Sequence, residues 1–166
     1  MTNNNNSMPT RRQFLWMGLN NRVIPIRPPW AIEENAFQND CTRCGDCISS
    51  CPEKILMREG VNGYPFVDFK RGECTFCGDC AKACPSTALD RSKSPAWLIK
   101  AHVTDSCLTK QQVLCMSCAD QCDVRAIRFT PVAGAVSQPE INIDDCTGCG
   151  ACVASCPTHS IEVKDV

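Results

Sequence analysis

An ordinary apolar core is scarce in this chain. Leu, Ile, Val and Phe together number 34 of 166 residues, just above the fraction of about 20% below which chains tend toward disorder. Aromatic residues make up only 6%. No run of 18 apolar residues occurs, so no membrane span is expected. The formal charge of -1 fits neither a highly charged disordered tail nor a globally basic nucleic-acid binder. No Gly-rich phosphate loop, flavin fingerprint or Ser/His/Asp arrangement stands out, and nothing is placed as acid, base or nucleophile, so no enzyme is expected. The two histidines, His102 and His159, read as ordinary surface or loop residues. What is abundant is cysteine, 16 residues, about one in ten, a level at which composition alone suggests a Cys-built scaffold. Something bound by those cysteines has to replace the missing core.

The cysteines fall into four groups of four. Cys41, Cys44, Cys47 and Cys51 precede Pro52; Cys74, Cys77, Cys80 and Cys84 precede Pro85; Cys146, Cys149, Cys152 and Cys156 precede Pro157. Each reads C-x2-C-x2-C-x3-C-P, the bacterial ferredoxin run for a [4Fe-4S] cluster. The remaining group, Cys107, Cys115, Cys118 and Cys122, reads C-x7-C-x2-C-x3-C, with Asp123 where Pro would stand. A cubane presents four irons at tetrahedral corners, each needing one thiolate. Three ligands two residues apart wrap the backbone over one face, and the fourth, expected at the head of the next helix, points away to a neighbouring cluster.

A disulfide scaffold belongs to oxidising compartments and a secretory signal, and none is recognised here. Zinc ribbons use paired C-x2-C units separated by a longer loop, whereas here three ligands lie within seven residues three times over. The third group is compatible with a longer ligand loop; the competing reading is a degenerate motif holding a different centre or none. Four clusters are therefore expected, or three if the third group is empty. Cross-ligation predicts the sets Cys41, Cys44, Cys47, Cys84; Cys51, Cys74, Cys77, Cys80; Cys107, Cys115, Cys118, Cys156; and Cys122, Cys146, Cys149, Cys152.

Four motifs in order suggest a duplicated two-cluster unit of α+β class, built of short hairpins and short helices. The expected divisions are a basic N-terminal docking segment 1–37, a first unit 38–90, a linker 91–103 and a second unit 104–166. Hairpins are predicted where Ile55–Arg58 and Tyr64–Phe69 flank Asn62-Gly63, and where Ala126–Phe129 faces Glu140–Ile143. Ser160–Val163 alternates like a closing strand, and short helices are expected after Cys51, Cys84, Cys122 and Cys156. Ile55, Val67, Ile127, Ile143 and Ile161 are expected to sheathe the clusters, and Trp97 to plug the space between units.

The first thirty residues carry Arg11, Arg12, Arg22 and Arg27 and no Asp, Glu or Lys. Thr10-Arg11-Arg12-Gln13-Phe14-Leu15 looks like a twin-arginine export signature. Its apolar stretch is only six residues long before Asn20-Asn21-Arg22 breaks it, too short for a working signal. The segment reads instead as a docking element, with Arg11, Arg12 and Trp16 as candidate partner-binding anchors. A solvated tail packing its Phe and Trp back onto the body is the competing reading. Arg27-Pro28-Pro29-Trp30 reads as a stiff lead-in whose Trp packs on the first unit or on a partner.

Together these features resemble the NapF family, ferredoxin-type proteins associated with periplasmic nitrate reductase. The resemblance covers nearly the whole chain. It rests on Arg11-Arg12, Ile26-Arg27-Pro28-Pro29-Trp30, Cys41-Thr42-Arg43-Cys44, Gly63-Tyr64-Pro65, Glu73-Cys74-Thr75-Phe76-Cys77, Cys146-Thr147-Gly148-Cys149-Gly150-Ala151-Cys152 and the long gap after Cys107. It implies a cytoplasmic iron–sulfur protein that binds the catalytic molybdenum subunit of the reductase and assists its maturation before export. The alternative is a general multi-cluster electron carrier.

Overall fold

Cysteine-proline steps and glycines, more than apolar periodicity, set where the elements of this chain begin and end. The computed structural model describes residues 25–92 and 95–165. The candidate anchors Arg11, Arg12 and Trp16 lie outside the described residues. The fold is a set of short helices and small antiparallel strand pairs. Helix α1 (Glu34–Asp40) opens on Glu33, whose carboxylate accepts from the Asn35 N–H, and closes where the Cys41 N–H reaches the Phe37 carbonyl. Helices α2 (Asp46–Ser49), α3 (Asp79–Ala83), α4 (Ser117–Asp120) and α5 (Ala151–Ala154) each carry the third cysteine of a motif. A single 3-10 turn, Leu108–Gln111, follows Cys107.

The helices thus precede the fourth cysteine of each motif, which corrects the expectation that they follow it. Gly45, Gly78 and Gly150 adopt φ of 90°, 81° and 85° and start α2, α3 and α5 directly after the second cysteine. A residue before Pro is driven from the α region, and Cys84 accordingly ends α3 in extended backbone (φ -72°, ψ 119°). In the first motif a helix also presents the first cysteine, Cys41, at the end of α1.

Strands β1 (Leu56–Arg58) and β2 (Pro65–Val67) form the first expected hairpin, with Met57 opposite Phe66. Its left-handed turn residue is Gly60 (φ 60°), not the Asn62-Gly63 pair. Strands β4 (Ile127–Val132) and β5 (Ala135–Ile141) form the second, with Ile127 opposite Ile141 and an irregularity between Thr130 and Val132. The closing strand β6 (Ile161–Asp165) pairs antiparallel with β3 (Ile99–Val103), Ala101 opposite Val163. β3 therefore lies within the stretch 91–103 read as linker. A bridge between Ala31 and Leu89 makes the equivalent closure in the first half.

Residues 25–37, within the segment read as a docking element, are likewise packed on the body. The Val67 N–H donates to the Ile26 carbonyl, Pro28 and Phe37 are fully buried, and Trp30 sits under the Arg91 guanidinium. The core joins Phe37, Ile55, Leu56, Val67, Phe69, Ile99, Ala101, Ile127, Val153 and Ile161 to the cysteines Cys47, Cys80, Cys118 and Cys152. Of the five residues expected to sheathe the centres, Ile143 alone is only half-buried. Among the described residues no helix is long and apolar enough to cross a membrane.

Candidate metal centres

All sixteen cysteines are free thiols. Four cavities bring them together, and each cavity holds four. The first is lined by Cys41, Cys44, Cys47 and Cys84, the second by Cys51, Cys74, Cys77 and Cys80. The third is lined by Cys107, Cys115, Cys118 and Cys156, the fourth by Cys122, Cys146, Cys149 and Cys152. In every case three cysteines come from one motif and the last from its partner motif. The cavity of the irregular third motif measures about 20 Å³, the same as each of the others. Its long first gap changes the path of the backbone, not the room left between the thiols.

Most of the remaining wall surface is apolar. Ile55 and Leu56 line the second cavity, Phe129 and Ile161 the third, Ala101 and Ile127 the fourth. Among the described residues no three Cys, His, Asp or Glu side chains meet closely enough to hold one metal ion. The thiols surround a space, and a dry space ringed by four thiols is what a cubane requires.

The tight wrap is visible in the backbone. The residue before the second cysteine is left-handed in all three regular motifs, at Arg43 (φ 58°), Phe76 (φ 55°) and Gly148 (φ 74°). The third residue after the fourth cysteine is left-handed in the first, third and fourth motifs, at Lys54, Arg125 and His159. His159 is accordingly a turn residue. The irregular motif departs only around its second cysteine: Met116 starts α4 from φ -132°, and Gln112 (φ 62°) turns the longer loop.

Burial is the main force on the thiols. It pushes Cys47, Cys80 and Cys152 up to about 12, and Cys74 and Cys118 to about 11, with the charges of fellow thiols adding to it. Four thiolates in such a place need a compensating cationic centre, which inverts the local balance. Cys156 differs. Burial would raise it, but the Ser160 N–H at 3.2 Å and the Thr158 hydroxyl outweigh that and hold it below the ordinary thiol value. N–H groups also point at sulfur from Phe76 to Cys74 (3.4 Å) and from Ala126 to Cys122 (3.3 Å). Such bonds favour the thiolate and tune a bound cluster.

Sequence reasoning missed a second layer of ligand contacts. A hydroxyl stands within reach of sulfur two residues after Cys84, Cys107, Cys115 and Cys156, from Ser86, Thr109, Ser117 and Thr158, at 3.3 to 3.7 Å. The recurring Cys-x-Ser/Thr spacing was the available signal. Trp97 takes the place expected of it: its ring meets Phe69 and Phe76 edge-on at 5.7 and 5.8 Å, and its Nε1 donates to the Thr147 carbonyl.

A 4Fe-4S dicluster domain matches the chain twice, over residues 40–88 and 113–160. The ferredoxin-type protein NapF of Haemophilus influenzae is 47% identical over 143 residues, covering 86% of this chain and 81% of its own. That of Escherichia coli is 46% identical over 139 residues, 84% of each chain. The ferredoxin-type protein NapG of Escherichia coli is 35% identical over 161 residues, covering 85% of this chain and 70% of its own.

Proposed function

The chain belongs to the NapF family of ferredoxin-type 4Fe-4S proteins, and from that membership we propose that it binds the catalytic molybdenum subunit of periplasmic nitrate reductase and assists its maturation before export. Its sixteen cysteines hold four [4Fe-4S] clusters in the four cross-motif sets. The observation that carries this reading is the sorting of all sixteen thiols into four cavities, with none left over. A bound cubane passes one electron through its irons. The thiolates hold it, the apolar walls keep water from it, and N–H and hydroxyl groups set its potential. The two stretches matching the dicluster domain are two copies of one α+β unit, each flanked by a pairing of the chain before it with the chain after it.

Arg11, Arg12 and Trp16 supply the anchors for the partner. The break after Leu19 keeps the chain in the cytoplasm, where it meets the reductase subunit before export. The test is deletion of residues 1–24. A cut at residue 30 would also remove Arg27 and Trp30, which support the body. The expected result is unchanged iron content and cluster reduction with loss of binding to the immature subunit. If the deletion leaves the activity of that subunit in cells untouched, the chain is a general electron carrier instead.

A further inference from the structure

We propose that the four thiolate sets are coupled in the spatial order first, second, fourth, third, and that Cys74 and Cys149 make the step between the halves of the chain. This rests on the four-cluster reading. Within the first half, α2 and α3 pack together and carry Cys47 of the first set and Cys80 of the second. Within the second half, α4 and α5 do the same with Cys118 of the third set and Cys152 of the fourth. Between the halves, the Cys74 N–H donates to the Cys149 carbonyl at 2.8 Å. One hydrogen bond thus joins a ligand residue of the second set to one of the fourth.

The surroundings of that bond belong to both halves. Phe69, which precedes the second motif, lies directly over Gly150, so that a β-carbon there would overlap its ring. Trp97 joins Phe69 and Phe76 to the Thr147 carbonyl. An open pocket of about 270 Å³ at the seam is lined by Cys74, Phe76, Val124 and Cys149. The seam shares Cys74 with the second cavity and Val124, Thr147 and Cys149 with the fourth, whereas no residue lining the first or third cavity takes part in it. These two sets stand at the ends of the series. An electron crossing the seam is lost at one set and gained at the other, with no bond broken and no proton moved. Phe69 and Trp97 are positioning residues for that transfer.

Electron paramagnetic resonance of the fully reduced, anaerobically prepared full chain tests the order. Cys44→Ala with Cys115→Ala leaves the second and fourth sets complete; Cys77→Ala with Cys149→Ala leaves the first and third. Each variant should hold about half of the sixteen irons that four cubanes contain. The first should give a split, broadened signal from two coupled spins, the second the plain sum of two separate ones. The reverse pattern overturns the order. Where these variants fail to hold iron, Phe69→Ala in the otherwise intact chain decides. Weakened splitting at unchanged iron content supports the seam, and an unaltered spectrum overturns it. Absence of iron from the unaltered chain would instead defeat the four-cluster reading itself.

Discussion

Arg27 ties the start of the described chain to its first half. Its guanidinium makes a fork with Glu34 at 2.7 and 2.9 Å, donates to the Pro65 carbonyl at 3.1 Å, and lies over the rings of Phe37 and Tyr64. The pair is mostly buried, with 14% and 24% of the side chains exposed. Arg27→Ala is expected to cost about 2 kcal/mol, the worth of charge-assisted hydrogen bonds. Arg27→Lys should recover only part, because an ammonium cannot make the fork. The hydrogen bond from Arg27 holds the Glu34 carboxyl below its ordinary value. A depressed carboxyl stabilises the fold above its unfolded pKa, about 4.3, and loses that contribution as pH falls through the lower folded value. The difference between wild type and Arg27→Ala should therefore be flat above pH of about 5 and shrink in acid to what the Pro65 bond and the ring contacts supply. Thermal loss of visible cluster absorbance, measured across pH, checks both statements. A second residue tests cross-ligation. Cys84 lies with Cys41, Cys44 and Cys47, so Cys84→Ala should abolish the first cluster and spare the one held by Cys74. Iron content, with spectra compared against Cys41→Ala and Cys74→Ala, distinguishes the two.

At the scale of elements, the sequence exposes what is local and hides what is distant. The two hairpins were legible because strand alternation and turn residues sit side by side along the chain. β3 was not, since Ile99–Val103 acquires its register from β6 some sixty residues on. Helices α2, α3 and α5 lie before the fourth cysteine because left-handed glycines after the second cysteine, not the Cys-Pro step, decide where they start. The sixteen cysteines line four cavities in the groupings that the motif spacing predicts, because that spacing keeps three members of each group close along the chain. Two glycines separate backbone strain from packing. Gly134 turns the β4–β5 hairpin at φ 70° with open space where a β-carbon would stand. Gly150 starts α5 at φ 85° with the Phe69 ring in that place. Gly134→Ala should cost only the strain of a left-handed residue, about 1 kcal/mol. Gly150→Ala should cost clearly more, because Phe69 has to leave the seam. Melting of the two loaded variants side by side, followed by cluster absorbance, gives the comparison; equal losses would show that Phe69 yields freely.

For the whole molecule, the shortage of apolar side chains and the surplus of cysteine are one fact. Thr109 and Ser160 are buried polar residues placed beside cluster thiols, and Cys47, Cys80, Cys118 and Cys152 are themselves core residues. An oxidised cubane with four thiolates carries about -2, so four would take the formal charge from -1 to roughly -9. Without the clusters, the buried thiols stand at pKa values of about 11 to 12 around spaces that nothing apolar fills. Strands of three to seven residues and helices of four to seven cannot hold themselves together in that state. Metal-binding energy in such domains is folding energy. Complete removal of iron and sulfide is expected to leave a largely unfolded chain, with near-ultraviolet circular dichroism lost and far-ultraviolet signal reduced toward coil. Native-like dichroism after complete removal would show that the polypeptide carries its own core. Iron analysis on the starting protein sets the scale of the experiment. About sixteen irons means that the irregular third set is filled and holds its half together; about twelve means that Cys107, Cys115, Cys118 and Cys156 fold around a site that takes no cluster.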